Sequence, residues 1–286
     1  MAVRIVTDST ADLNRDFVQE MNVNELPLYL RFKDEVFVEN DMDVEKFYQK
    51  MASSPTLPAT SQPDYLTVHD TFVQLLDEGH DIIGIFISSG LTGPYNSACM
   101  VWEELKAKYP QARVKLIDSK MGGMALGYPV REAAKAAAQG KSFDEIVSST
   151  EELLANAHIM FAPATLENLK KGGRIGTAAA LLGSILEIKP LLVLRNGTVE
   201  VLKKCRGNKA AEDAMVHVLL QDAKKLGIKY VIVHYTYAIE RGKRVWQMVH
   251  DRLGINAELS DITPVIAAHV GAGAVGIAYF TEKYSM

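Results

Sequence analysis

The sequence predicts an α/β fold: a three-layer first half on a parallel sheet and a two-layer second half on a mixed sheet. Short apolar runs at Val3–Val6, Ile82–Ile87 and Val114–Ile117 have the character of buried parallel strands. Each is followed by a polar turn and then by a segment with helical apolar spacing. The second half differs, because Asn196-Gly197 between two apolar runs is a hairpin signal.

In chain order, Val3 to Val6 is the first strand, and Thr10 caps a helix from Ala11 to Met21. Asp43 caps a helix to about Met51, and Pro63 to Leu76 is helical, stopping near Gly79. The strand Ile82–Ile87 leads to a helix from Pro94 to Lys108, then to the strand Val114–Ile117 and a helix from Ala125 to Ala138. Ser142 and Glu145 have the spacing of a capping box opening a helix to about Ala155. His158–Ala162 is a strand, Leu166–Lys171 a short helix, and Leu191–Leu194 with Thr198–Leu202 the hairpin. Asn208 caps a long helix with Met215, Val218, Leu219 and Leu226 on its apolar side, closed by Gly227. Tyr230–Tyr235 is a strand, Ala238–Leu253 a helix, and Ala257–Leu259 and Ala274–Phe280 the last strands. The change of texture divides the chain into domains at 1–157 and 158–286.

The 286 residues, 48% of them apolar, supply ample core for two domains. A net charge of −4 offers no electrostatic footprint for nucleic acid. Two cysteines, Cys99 and Cys205, make no disulfide framework, and with no signal-like apolar segment at the start a cytoplasmic location is expected. The most apolar stretch, Ala178–Leu194, is interrupted by Glu187, Lys189 and Pro190 and does not suit a bilayer.

Two polar clusters carry the chemistry: Thr60-Ser61-Gln62-Pro63 and Ser88-Ser89-Gly90-Leu91-Thr92-Gly93-Pro94. Each precedes a helical segment and places a proline where a first helical residue is expected. Free N–H groups and hydroxyls at a helix start favour an anionic oxygen. His269 lies among small residues, in Ala268-His269-Val270-Gly271-Ala272-Gly273, where backbone can approach a ligand closely. Lysine is absent from all three segments, which favours a carboxylate over a polyphosphate. Candidate ligand-binding residues are therefore Thr60, Ser61, Ser89, Thr92, Gly93 and His269, with Arg206 at the hairpin's end as a second positive charge. Arg174, just beyond Lys170-Lys171-Gly172-Gly173, is a candidate headgroup or partner contact. Each cluster also has a plainer reading: Thr60-Ser61 as a helix cap, Ser88-Ser89-Gly90 as a strand-to-helix turn, and Arg206 in a surface salt bridge.

Ile5-Val6-Thr7-Asp8-Ser9-Thr10, Thr60-Ser61-Gln62-Pro63, Ile87 to Gly93, Leu169 to Ile175 and His269 to Gly273 occur in the order seen in the DegV family, which the chain resembles over nearly its whole length. The resemblance implies a DegV-like two-domain fold binding a long-chain fatty acid. Its carboxylate would be held by hydroxyls matching Thr60 and Thr92 and by the histidine matching His269. It also implies a non-catalytic subunit that presents the acid to a separate fatty acid kinase, with Arg174 at the docking edge and transient contact with a membrane surface. The sequence departs from the usual pattern at Thr92 (serine is common), Pro94 (threonine) and Ala272 (proline), which bears on chain-length preference and the stiffness of the histidine loop. Leu181, Leu182, Ile185, Leu186, Ile188, Leu191 and Leu192 supply aliphatic surface.

No cofactor or metal is expected. There is no Gly-x-Ser-x-Gly elbow, no Walker lysine or Gly-x-Gly-x-x-Gly after a strand, and no His-x-x-x-His pair among the seven histidines. The alternative is a kinase-like or small-carbonyl enzyme using His269 as base or nucleophile. An aliphatic tunnel would favour the lipid reading and a small closed polar pocket the enzyme.

Overall fold

The computed structural model describes residues 2–33, 35–181 and 188–283. The first half contains β1 (Val3–Asp8), α1 (Arg15–Glu20), β2 (Asn24–Leu26), β3 (Tyr29–Phe32), β4 (Glu35–Val38), α2 (Val44–Ser53), β5 (Ala59–Ser61) and α3 (Tyr65–Asp77). It continues with β6 (Asp81–Phe86), α4 (Pro94–Leu105), β7 (Val114–Asp118), α5 (Met124–Ala138) and α6 (Phe143–Ala155). Then follow β8 (Ala157–Ala162), α7 (Glu167–Lys171), β9 (Ile188–Arg195), β10 (Thr198–Arg206) and α8 (Gly207–Leu226). The chain ends with β11 (Ile228–Tyr235), α9 (Ile239–Leu253), β12 (Glu258–Asp261), α10 (Pro264–Val270) and β13 (Val275–Thr281).

Alternation along β6 builds the first sheet's two cores. Ile82 and Phe86 pack against Phe72 of α3 and Val101 of α4, while Ile83 and Ile85 face Leu126 and Val130 of α5 and Ile146 of α6. The sheet has the order β2-β1-β6-β7 and every pairing is parallel. The second sheet has the order β10-β9-β8-β13-β11-β12, with only β11–β12 parallel. Met215 and Leu219 of α8 and Val245 and Val249 of α9 cover one face of it. Its other face meets the first half, where Met124 and Tyr128 of α5 pack on Ile232, Ala278 and Phe280. Tyr128 and Tyr230 stack there with ring centroids 4.2 Å apart. The α/β architecture, with one parallel and one mixed sheet, is as the sequence predicts.

A third sheet, β4-β3-β5, is antiparallel and was not anticipated. Its Leu30 and Phe32 pack on Phe47 and Tyr48 of α2 and on Val265 and Ala268 of α10, so a helix from the chain's end lies on a sheet from its beginning.

Several starts differ from expectation. Thr10 caps no long helix: its hydroxyl and amide bind the Asp8 carboxylate within a 3-10 turn at Ser9–Ala11, Asp12 turns left-handed at φ 53°, and α1 begins only after the Asn14 cap. Thr60 and Ser61 lie on β5 instead of opening a helix, and α3 is capped by Asp64, whose carboxylate accepts from the Thr67 amide at 2.9 Å. Pro63 therefore precedes the cap, whereas Pro94 is a first helical residue as expected. Asn208 sits inside the first turn of α8, whose cap is Arg206. The Ser142–Glu145 capping box forms as read. Leu182, Ile185 and Leu186 lie outside the described residues.

The Asn196-Gly197 turn has φ of 50° and 81°, the left-handed pair that two-residue hairpins favour. Its tip docks on the first half: the Ser88 hydroxyl donates to Gly197 O at 2.7 Å, and a Cβ on Gly197 would sit 2.3 Å from Ser88 Oγ. Gly197→Ala combines a disfavoured φ with that clash and should destabilise the fold by about 1–3 kcal/mol. A lower urea midpoint at unchanged m-value is the expected readout; an unaltered midpoint would show that the tip does not carry the contact.

Candidate functional site

Where the three sheets converge, β5, the turn after β6, the Arg174 segment, the β9–β10 hairpin, β11, α10 and β13 enclose a cavity of about 110 Å³, measured as space open to the centre of a water molecule. One water needs roughly 10–15 Å³ on that measure, so this is room for a ligand and not a packing gap. The walls are mostly aliphatic and aromatic, with Ile87, Leu91, Phe161, Leu194, Val199 and Ile266 among them.

Polar side chains interrupt these walls. Thr60 Oγ1 and His269 Nε2 lie 2.8 Å apart. Thr60 gets there because β5 pairs with β3, Thr60 opposite Leu30. His269 stands on the last turn of α10 and not in a glycine loop; the loop starts at Gly271, where φ is 84°. Gly172 makes room for the ring, since a Cβ there would come within 2.3 Å of His269 Nδ1. The helix end is tied down by Asn168 Nδ2, which donates to Ala268 O at 3.0 Å, and by the Thr236 hydroxyl, which donates to Gly271 O at 2.7 Å. Burial, helped by the nearby Arg174 charge, lowers the His269 pKa to about 4, so the ring is neutral at neutral pH.

Arg174 also lines the cavity, half-buried, donating from Nε to Leu91 O at 3.2 Å and from Nη1 to Gly172 O at 2.7 Å. Thr92 lines it from the turn after β6. Thr60, Thr92, Arg174 and His269 thus share one cavity. The other candidates do not line it. Ser61 is exposed on β5, next to Thr60 and so on the opposite face of the strand. Ser89 is engaged with Asp118, its hydroxyl donating to Oδ2 at 2.5 Å and its amide to Oδ1 at 3.1 Å. Gly93 serves Gln62, whose Oε1 fills the space a Cβ would need, while Nε2 donates to Ser97 Oγ at 2.8 Å. Arg206 is exposed at the end of β10.

Sequence reasoning missed the acids behind the site. Asp8 is fully buried and accepts from the Ile87 amide at 2.8 Å; desolvation raises its pKa to about 6. Glu39 accepts from the Val265 amide at 2.7 Å and from the Ser9 hydroxyl, and Asp12 accepts from the Thr263 amide at 3.1 Å. Desolvation raises both of these carboxyls as well. Only the Asp8-Ser9-Thr10 run hinted at them; nothing local marks Glu39 as buried. Gly122, Gly123 and His234, which also line the cavity, were missed too. Among the described residues no cluster of histidine, cysteine, aspartate and glutamate side chains could hold a metal ion.

A family model described as an uncharacterised protein of the DegV family matches residues 2–282. A DegV domain-containing protein of Clostridium perfringens is 40% identical over 283 residues, 99% of this chain and 100% of the relative. Among solved structures, a fatty acid binding DegV family protein of Streptococcus agalactiae superposes with a TM-score of 0.90 at 26% identity, covering 99% of each chain. A DegV family protein of Thermus thermophilus, whose structure is described by its fatty acid binding, gives 0.85 at 29% identity over 98% of this chain and all of that one.

The His269 pKa lies below its unfolded value, so the native state favours the neutral ring. Its stabilising contribution is complete above about pH 6.5 and is lost as pH falls towards 4. His269→Asn should flatten the pH dependence of the urea midpoint over that window. An NMR titration of the ring in ligand-free protein should give a midpoint well below 6.5, moving upward when a carboxylate is bound beside it. A midpoint of 6.5 or higher in the free protein would contradict this environment.

Proposed function

Since this chain belongs to the DegV family, we propose that it binds a long-chain fatty acid, with the carboxylate at Thr60, Thr92, Arg174 and His269 and the chain along the aliphatic walls. The observation that carries this reading is the Thr60–His269 hydrogen bond in a cavity whose walls are mostly apolar. With Nε2 protonated, the neutral ring donates to Thr60 Oγ1, and the threonine O–H is left to donate to the carboxylate. Arg174 supplies positive charge, with its Nε and Nη1 already oriented by two backbone carbonyls. The fatty acid binding described for the Streptococcus agalactiae and Thermus thermophilus proteins supports the same ligand class.

The proposal extends to the acid's fate. The four headgroup residues are each only half-buried, so the carboxylate would lie close to the surface, within reach of a separate fatty acid kinase that converts it to an acyl phosphate. Arg174 would then serve both the headgroup and the docking edge. The chain would work without a cofactor of its own, in the cytoplasm, with transient membrane-surface contact for ligand exchange. Two free thiols, and no helix among the described residues long and apolar enough to cross a membrane, agree with that location. The division into domains at 1–157 and 158–286, at the first residue of β8, belongs to the same reading. The enzyme alternative gains little from the geometry: a histidine with a pKa of about 4 is a weak base at neutral pH, and the cavity is apolar.

Delipidated protein titrated with a fatty acid and with its methyl ester should prefer the acid. Thr60→Ala, Thr92→Ala and His269→Ala should each reduce acid affinity by roughly 1.5–3 kcal/mol with little effect on the ester. Thr60 and His269 share a bond, so their double variant should be less than additive. Equal affinity of wild type for acid and ester would sink the carboxylate assignment.

Acyl-phosphate formation, trapped with hydroxylamine, should require ATP and a partner kinase together. Arg174→Glu should reduce it and should weaken fatty-acid binding as well, because the side chain lines the cavity. Product from this chain and ATP alone would revive the enzyme reading.

A further inference from the structure

His234 is a polar group in the cavity that carboxylate binding leaves unused. Its side chain is 3% exposed, it lines the cavity, and neither ring nitrogen has a hydrogen-bond partner among the described residues. It stands on β11 opposite Gly276 of β13, which also lines the cavity. Burial lowers its pKa to about 4, so at neutral pH the ring carries one N–H donor and one bare acceptor. A buried histidine with both nitrogens unsatisfied is a costly feature to keep among aliphatic walls.

Its place along the cavity follows from Gly123 and α10. A Cβ on Gly123 would lie 3.7 Å from His234 Cε1, 3.4 Å from Ile262 Cδ1 and 3.0 Å from Asp12 Oδ2. Asp12 in turn accepts from the Thr263 amide, so His234 sits near the start of α10 while His269 occupies its last turn. His269 lies six positions after Thr263, or ~9 Å of helix rise. At ~1.2 Å per bond, an extended chain covers that span in roughly eight bonds.

We propose that the cavity accepts an acyl chain hydroxylated near its middle, with His234 as the specificity-determining residue that holds the hydroxyl. This rests on the fatty-acid reading above. A hydroxyl is the smallest neutral group that both donates and accepts, so it can meet either ring nitrogen, whereas a methylene meets neither. Without His234 the same hydroxyl would enter an apolar cavity unpaired.

The test compares octadecanoic acid with derivatives hydroxylated next to the carboxylate, at mid-chain or at the methyl end, each titrated into delipidated protein. Wild type should favour the mid-chain hydroxyl over the unsubstituted acid by roughly tenfold, and over the other two positions. His234→Leu should reverse that preference while keeping or improving affinity for octadecanoic acid, and His234→Gln should retain part of it. If octadecanoic acid binds but wild type shows no preference for the mid-chain hydroxyl, the inference is overturned and the fatty-acid reading stands; His234 then simply holds water. An unchanged preference in a folded His234→Leu variant overturns it too. If no acid binds at all, both readings fall. The positional comparison on wild type decides the matter even if the leucine variant fails to fold.

Discussion

Glu39 accepts from the Val265 amide at 2.7 Å and Asp12 from the Thr263 amide at 3.1 Å, so the start of α10 rests on two carboxylates from the first half of the chain. A helix start leaves its first N–H groups unpaired and carries partial positive charge, and both needs are met here away from water. Desolvation pushes both carboxyls above their ordinary range, and the helix end works against that shift. At the other end of the helix, about 10 Å away by its rise, His269 meets Thr60. Ile266, between the two ends, forms wall. One short rigid element therefore sets both the polar edge and part of the apolar lining.

The cavity has no single owner among the three sheets. Thr60 comes from the antiparallel sheet, Ile87 and Thr92 from the turn after β6 of the parallel sheet, and Phe161 and His234 from the mixed sheet. Other contacts join these sheets: the hairpin tip at Ser88, the tyrosine stack between α5 and β11, and α10 on β3. A ligand filling such a space touches every layer and stabilises their association by mass action. Ligand occupancy and the packing of the halves are thereby coupled without any moving part being required.

Much of this was legible in the sequence where a local signal had one physical meaning. The apolar run at Ile82–Ile87, the Ser142–Glu145 box and the Asn196-Gly197 turn each became what their chemistry dictates. Thr60-Ser61 was misread because the same hydroxyl residues serve caps and edge strands, and the true cap, Asp64, stood three positions on. The third sheet was illegible for a different reason. Its strands are three or four residues long, and β5 finds β3 only across some thirty positions of chain. Thr60, Thr92, Arg174 and His269, which line the cavity, were found because hydroxyl, guanidinium and imidazole groups stand out in short polar or glycine-rich runs. Glu39 and His234 were not, since burial of a polar group is decided by distant partners: Val265 for the one, Gly123 and Gly276 for the other.

The chemistry of the proposed headgroup site divides labour in a way that suits presentation. Burying about fourteen methylenes contributes on the order of 11 kcal/mol gross, far more than any one hydrogen bond to the carboxylate. Loss of ligand freedom offsets part of that. On the proposed reading affinity would thus come from the walls, and the polar residues would be left to orient the oxygen atoms. Arg174 is the one lysine or arginine among the described lining residues, and the depressed His269 pKa keeps a second positive charge away from it. A doubly charged cradle would hold the carboxylate harder and leave its oxygens less nucleophilic. On the proposed reading, one guanidinium with neutral donors would fix the geometry yet leave an oxygen able to accept a phosphoryl group from outside. The same balance fits a buried, neutral His269: on the proposed reading it aims the Thr60 hydroxyl, and a ring that changed charge near pH 7 would alter both the aim and the local field.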